Sequence, residues 1–165
     1  MDRAFQIIPM TVQHIESFHA CLDRIAQERL YLAFLEAPPF EATKNFILMN
    51  IANNVPQFVA VVHTQVVGWC DILPLQYEGF RHRGKLGMGV DRDYRRQGIG
   101  KKLITQTIES AAEYGIERIE LEVYASNIPA ISLYKNIGFE TECVKTRARK
   151  LDGEYDDIIE MVMFV

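Results

Sequence analysis

Only three cysteines, Cys21, Cys70 and Cys143, are spread over the 165 residues, and no two of them form a CxxC pair. That spacing speaks against a zinc ribbon or a redox dithiol, and it fits reduced thiols packed as small core residues better than disulfides or nucleophiles. No metal site is expected. Long apolar runs are missing as well. Nothing approaches the roughly 18 consecutive apolar residues of a membrane span, and Met1-Asp-Arg-Ala-Phe-Gln-Ile-Ile-Pro9 has no apolar stretch before a cleavage site. A cytoplasmic protein without a membrane partner is expected. The chain also lacks positive charge overall. A formal net charge of −4 provides no broad field for nucleic-acid phosphates, so nucleic acid is not an expected partner and a basic cluster must serve a local anion. There is no internal repeat, low-complexity tract or linker. With 48% hydrophobic and 24% charged residues, the chain has the composition to bury one core, and residues 1–165 read as a single domain.

Against these absences stands a clear order of elements. Phe5 to Ile8 reads as a strand closed by Pro9, and Thr11 can cap a helix through Val12, Ile15, Phe18, Leu22 and Ile25 that runs towards Leu30. Pro38-Pro39 interrupts the chain before a second helix, Glu41 to Asn53. Gln57 to His63 and Val66 to Leu73 are β-branched, apolar runs joined by Thr64-Gln65, which predicts a hairpin. Leu75 to Gly84 reads as a loop whose Arg81-His-Arg83, with Lys85, forms a solvated basic rim. Leu86-Gly-Met-Gly-Val90 is a strand with two glycines, which suggests a bulge or a close approach by a backbone or ligand. A helix from Ile99 to Tyr114 stops at Gly115. A strand from Ile119 to Ala125 then places Glu120, Glu122 and Tyr124 on one face. Pro129 opens a helix from Ala130 to Asn136, and Asp152-Gly153 joins two last strands, Glu140 to Lys150 and Tyr155 to Val165.

The segment Val90-Asp-Arg-Asp-Tyr-Arg-Arg-Gln-Gly-Ile-Gly-Lys-Lys-Leu103 carries the strongest chemical signal. Walker A spacing fails because Arg95 lies five before Gly100 and Lys102 follows Lys101. The Rossmann fingerprint fails because Arg92 stands at its third glycine. What remains is strand, basic turn with Gly98-Ile-Gly100, then helix. The free amides of a helix N-terminus and the arginines beside it can surround a pyrophosphate, and glycine lets the backbone come close. Basic side chains at a helix N-terminus oppose its dipole, so an anion between them is the more consistent account.

Arg95-Arg-Gln-Gly-Ile-Gly100 resembles the R/Q-x-x-G-x-G/A motif of the GNAT family of N-acetyltransferases. Leu121 to Asn127, Pro129 to Tyr134 and Asn136-Ile-Gly-Phe139 are similar to the second half of that family, so the likeness covers nearly the whole chain. It implies an α/β GNAT fold: a single mixed, largely antiparallel sheet of about seven strands, flanked by about four helices and splayed between the fourth and fifth strands. Acetyl-coenzyme A would lie in that gap. The resemblance places the backbone of Met88, Gly89 and Val90 against its pantetheine, and Arg95, Arg96, Gln97, Gly98, Ile99, Gly100 and Lys101 around its pyrophosphate. Asn127 would reach the cofactor from the facing strand, a role compatible with capping the helix at Pro129.

On this likeness the chain transfers acetyl from acetyl-coenzyme A to a primary amine by direct attack through a tetrahedral intermediate. The backbone amide of Val90 would hold the thioester oxygen. Tyr134 matches the family's tyrosine near the cofactor sulfur. A phenol near pKa 10 does not readily protonate a thiolate whose acid has a pKa of about 8.5, so Tyr134 is expected to act mainly as a hydrogen-bond donor. Glu122, twelve positions before Tyr134, is the candidate base, in a spacing similar to that of ribosomal-protein N-terminal acetyltransferases. Glu120 and Asp71 are its rivals, because Leu86 to Val90 lacks the glutamate that some relatives carry there. An α-amine near pKa 8 is far more often neutral at pH 7 than a lysine near 10.4, which favours α-amines as acceptors. Leu151 to Asp157 also resembles the G-x-Y-x-D element of amino-acid and phosphinothricin acetyltransferases. A free amino acid or small amine is therefore the expected acceptor, with a peptide or protein N-terminus or a silent acyl-coenzyme A binding module as alternatives. A homodimer is compatible with this reading.

Overall fold

The computed structural model describes residues 4–165. Seven strands form one sheet: β1 (Gln6–Pro9), β2 (Gln57–Val62), β3 (Gln65–Pro74), β4 (Arg83–Val90), β5 (Arg118–Tyr124), β6 (Glu140–Leu151) and β7 (Glu154–Phe164). Their spatial order is β1-β2-β3-β4-β5-β7-β6, and every pairing is antiparallel except that of β4 with β5. The α-helices are α1 (Ile15–Ala26), α2 (Phe40–Ala52), α3 (Ile99–Tyr114) and α4 (Ile128–Ile137).

Strand alternation sorts the core into two halves. Val59, Val61, Val66 and Trp69 point to one face, where they meet Phe18 and Leu22 of α1 and Ile47 of α2. Ala60, Val62, Val67, Cys70 and Ile72 point to the other, against Leu103 and Ile104 of α3 and Tyr134 of α4. Burial on both faces explains why β2 and β3 read as nearly continuous apolar runs.

Local signals place most boundaries. Gly115 ends α3 at φ +99°, and Asn127 caps α4 by accepting a hydrogen bond from the Ala130 amide. Asp152 and Gly153 both have positive φ, as a tight two-residue hairpin requires. Several expectations need correction. The first helix begins only after a 3₁₀ turn at Val12–His14 and ends at Ala26, because Arg29 adopts φ +60° and the chain turns away. β4 starts at Arg83, so part of the expected loop is strand. No bulge interrupts the β3–β4 register. Gly89 instead admits the Trp69 ring, since a Cβ there would lie 2.5 Å from a ring carbon. Cys143 is exposed on β6 and is not a core residue, unlike Cys21 and Cys70.

The decisive feature is how little β4 and β5 share. Arg83 to Lys85 pair with Arg118 to Glu120, and no further pairing follows. Beyond Lys85 the two strands part, and one edge of Leu86 to Val90 faces the opening.

Candidate active site

Backbone direction decides what the opening presents. The Asp91 amide donates to the Val67 carbonyl of β3 at 2.8 Å. Backbone groups alternate sides along a strand, so the Met88 and Val90 amides point away from β3 and into the opening, while that of Gly89 points to β3. Two donors therefore line a strand edge that no other strand covers.

The turn that follows leaves backbone amides open beside exposed cations. Arg96 at φ +62° and Gly98 at φ +80° swing the chain into α3, and a Cβ on Gly98 would meet no atom within 4 Å. The first amides of α3, at Ile99, Gly100 and Lys101, have no partner within the helix. Arg96, Gln97 and Lys101 are exposed around them, whereas the Ile99 side chain is buried and only its backbone can serve a ligand. Gly100 lets the start of α3 approach α4 and β4, because a Cβ there would touch Leu133 and Met88 at 3.4 and 3.5 Å. An open amide nest flanked by cations fits a pyrophosphate, and the bare edge of β4 beside it fits an extended chain carrying amides.

Arg95 is more than a loose positive charge. Its Nε donates to the Val90 carbonyl at 2.8 Å, its two other nitrogens grip Glu28 at 2.8 and 2.6 Å, and the guanidinium stacks over Tyr31. The side chain thus fastens the α1–α2 connection to the end of β4. Arg95→Ala should lower stability without ligand by about 2 kcal/mol, or roughly 6 °C in Tm, by leaving the partly buried Glu28 unpaired. Exposed Arg96→Ala should leave Tm unchanged. Thermal melts of both variants check this, and equal melting points would return Arg95 to a purely ligand-directed role.

Three carboxylates share the α1–α2 face of the sheet but differ in environment. Glu122 lies between Lys85 at 3.4 Å and Lys145 at 2.8 Å. Glu120 is held by Arg83 at 2.9 Å and Arg118 at 3.4 Å. The cations of the expected solvated rim are thus largely committed to these ion pairs. Asp71 has no ion pair or hydrogen bond among the described residues, and burial pushes its carboxyl up to about 7. Across β4 its neighbour is Gly87, where a Cβ would sit 3.2 Å from Oδ1.

From the opposite face, Tyr134 lies under the sheet with its ring against Phe139. Burial raises its ionisation well above the ordinary phenol value, and the nearby Cys70 thiol adds to the rise. Its hydroxyl therefore stays protonated through the physiological range, and no partner among the described residues takes its hydrogen. Asn127 spends its Oδ1 on the Ala130 amide at 3.3 Å, and its Nδ2 has no partner among the described residues.

The acetyltransferase (GNAT) family model matches residues 20–139. This chain belongs to that family. It is 29% identical to the L-amino acid N-acetyltransferase AaaT of Escherichia coli, across 92% of this chain and 96% of that protein. It is 35% identical to N-alpha-acetyltransferase 30 of Dictyostelium discoideum, across 89% of this chain and 76% of that one. A solved GNAT superfamily phosphinothricin acetyltransferase from Sinorhizobium meliloti, in complex with acetyl-coenzyme A, superposes with a TM-score of 0.90 at 15% identity, covering 100% of this chain and 89% of that one. The chain is thus an acetyl-coenzyme A-dependent N-acetyltransferase with a GNAT fold.

Local sequence motifs point to β4 and the glycine turn but not to the side chains that α1, α2 and their connection bring alongside them. Glu28 and Tyr31, which hold Arg95, sit in a segment without periodicity, and no sequence signal joins them to the glycine turn. Phe18, Phe46 and Trp69 looked like ordinary core. One clue was available for Asp71: it is the lone charge in the apolar run Val66 to Leu73.

Proposed function

We propose that residues 1–165 act as one N-acetyltransferase domain that acetylates the α-amine of a free amino acid or a similarly small amine. The observation that carries this reading is a bridge between the two segments beside the candidate acceptor side. Arg29 bridges the α1–α2 connection to Asp152 at the tip of the β6–β7 hairpin, with Nη2 2.8 Å from Oδ1, and Arg149 donates to the Arg29 carbonyl at 3.0 Å. The two segments that could flank a long acceptor are thereby tied together, and Leu32, Phe34 and Pro38 of the α1–α2 connection line a cavity with Trp69 and Asp71. The similarity to an L-amino acid N-acetyltransferase over nearly the whole of both chains supports the same choice.

In this reading acetyl-coenzyme A lies along β4, with its pyrophosphate on the turn from Arg95 to Lys101, and supplies a thioester carbonyl. The Met88 and Val90 amides hold the pantetheine and the carbonyl oxygen, and Asn127 Nδ2 reaches the cofactor from β5. Tyr134 offers its hydroxyl hydrogen to the sulfur as negative charge gathers there. A carboxylate on the opposite face receives the proton of the acceptor ammonium. The spacing from Tyr134 nominates Glu122 for this role, although Lys85 and Lys145 already engage its carboxylate. The test is a panel of free L-amino acids, small amines and short peptides, read by thiol release from acetyl-coenzyme A. We expect turnover with several free amino acids. Turnover confined to peptides would move the assignment to N-terminal acetylation, and none with any amine, despite tight cofactor binding, would indicate a silent module.

A further inference from the structure

Four of the six buried polar residues among those described gather in one place: Thr43 and Asn50 on α2, Gln57 on β2 and Asp71 on β3. Asn50 donates to Gln57, and Gln57 stands directly opposite Asp71 in the sheet register. Among the described residues, the two buried side-chain atoms without partners, Thr43 Oγ1 and Gln57 Nε2, both belong to this group. Thr43 and Asp71 line a cavity of about 420 Å³ whose remaining walls are almost wholly apolar, including Phe18, Phe46 and Trp69. A core that was merely packed would leave neither the space nor the unpaired polar atoms.

Gly87 and Met88 of β4 also line this cavity, so it meets the strand that borders the opening. At Gly87 the missing side chain uncovers Asp71 Oδ1. We propose that the acceptor's ammonium rests on Asp71 above Gly87, that Asp71 takes its proton, and that a bulky apolar side chain of the acceptor fills the cavity. The substrate class is accordingly an α-amine with a branched, thioether or aromatic side chain. This rests on the small-amine acetyltransferase reading and replaces Glu122 with Asp71 as the proton acceptor.

The proton balance is simple. The ammonium gives one proton to the Asp71 carboxylate, and the neutral nitrogen bonds to the acetyl carbon. The carbon–sulfur bond breaks with its electron pair left on sulfur, the nitrogen's surplus proton passes to that sulfur, and Asp71 returns its own proton to water. No other titratable group among the described residues lines the cavity. On the same face of β4, Lys85 is paired with Glu122 and Arg83 with Glu120. On α1, His19 bonds the Pro38 carbonyl and Arg24 bonds Asp91. Asp71 is therefore free to titrate alone, and burial brings it near neutrality, where a general base works best.

Two variants test this, assayed with L-leucine, L-methionine and L-phenylalanine against glycine, L-aspartate and a Leu-initiated tripeptide. Asp71→Asn should lower kcat/KM at pH 7 by about 100-fold or more, remove the wild-type rise in rate centred near pH 7, and leave acetyl-coenzyme A affinity intact. Ala42 is exposed on α2 at the cavity rim, so Ala42→Trp can fill the space without disturbing the core. It should raise KM for the bulky acceptors by about 10-fold or more and narrow their advantage over glycine. A wild-type pH profile in Asp71→Asn, or an equal effect of Ala42→Trp on every acceptor, would overturn the proposal while leaving small-amine transfer standing. If only the tripeptide is acetylated, and Ala42→Trp blocks it, the cavity assignment holds and the small-amine reading fails.

Discussion

Gly98→Glu should weaken acetyl-coenzyme A binding by at least about 100-fold, about 2.7 kcal/mol, with the fold intact. The new side chain has room, because nothing lies within 4 Å of the position its Cβ would take. It nevertheless puts a carboxylate among the α3 amides that would otherwise face a pyrophosphate, so charge repulsion and occupation of the nest act together. Part of the effect could come from forcing a side chain to φ +80°, at about 1 kcal/mol. Gly98→Asn controls for that strain, since asparagine tolerates positive φ and adds no charge. Calorimetry with acetyl-coenzyme A should therefore find the asparagine variant within about 10-fold of wild type and the glutamate variant far weaker. Similar losses in the two would trace the effect to backbone strain and remove the case for an anion at this turn.

Tyr134→Phe should lower kcat by about 10- to 100-fold, about 1.4 to 2.7 kcal/mol, with little change in acetyl-coenzyme A affinity. The hydroxyl has no protein partner to lose among those described, so its removal leaves no orphaned group and Tm should hold or rise slightly. Its raised pKa keeps the hydrogen in place but makes full transfer to a thiolate unfavourable. The contribution is then a hydrogen bond that strengthens as charge develops on sulfur, which acts on the transition state more than on the bound ground state. Stopped assays at saturating acetyl-coenzyme A, paired with calorimetry, separate the two effects. A tenfold weaker affinity with unchanged kcat would make Tyr134 a wall of the binding site and nothing more.

These two residues mark where the sequence was most legible. The turn and Tyr134 are read through local order: a strand, a glycine turn and a helix must follow one another, and helix spacing fixes which side of α4 is buried. The α3 limits, Ile99 and Tyr114, follow directly from their glycines for the same reason. What was hidden depends on contacts between distant segments. Arg95 meets Glu28 across 67 positions, and Arg29 meets Asp152 across 123. Neither pair leaves a periodic trace. Glu122 looked attractive because its spacing from Tyr134 is visible in one dimension, but Lys145, its partner, comes from β6 through a sheet register that no local pattern specifies. Asp71 was visible only as a charge out of place. Its isolation depends on Gly87 and on the apolar walls of α1 and α2, which three separate elements assemble.

On the proposed reading, acetyl passes directly from acetyl-coenzyme A to the nitrogen of a small α-amine held on the far side of the β4–β5 opening. The most direct measurement is a single-turnover reaction with carbonyl-labelled acetyl-coenzyme A and a good acceptor, quenched over time and analysed by mass spectrometry of both protein and small molecules. Direct transfer predicts that label appears on the α-nitrogen at the rate at which thiol is released, with none on the protein at any time. Label accumulating on the protein before product, or thiol release without N-acetyl product, would contradict it.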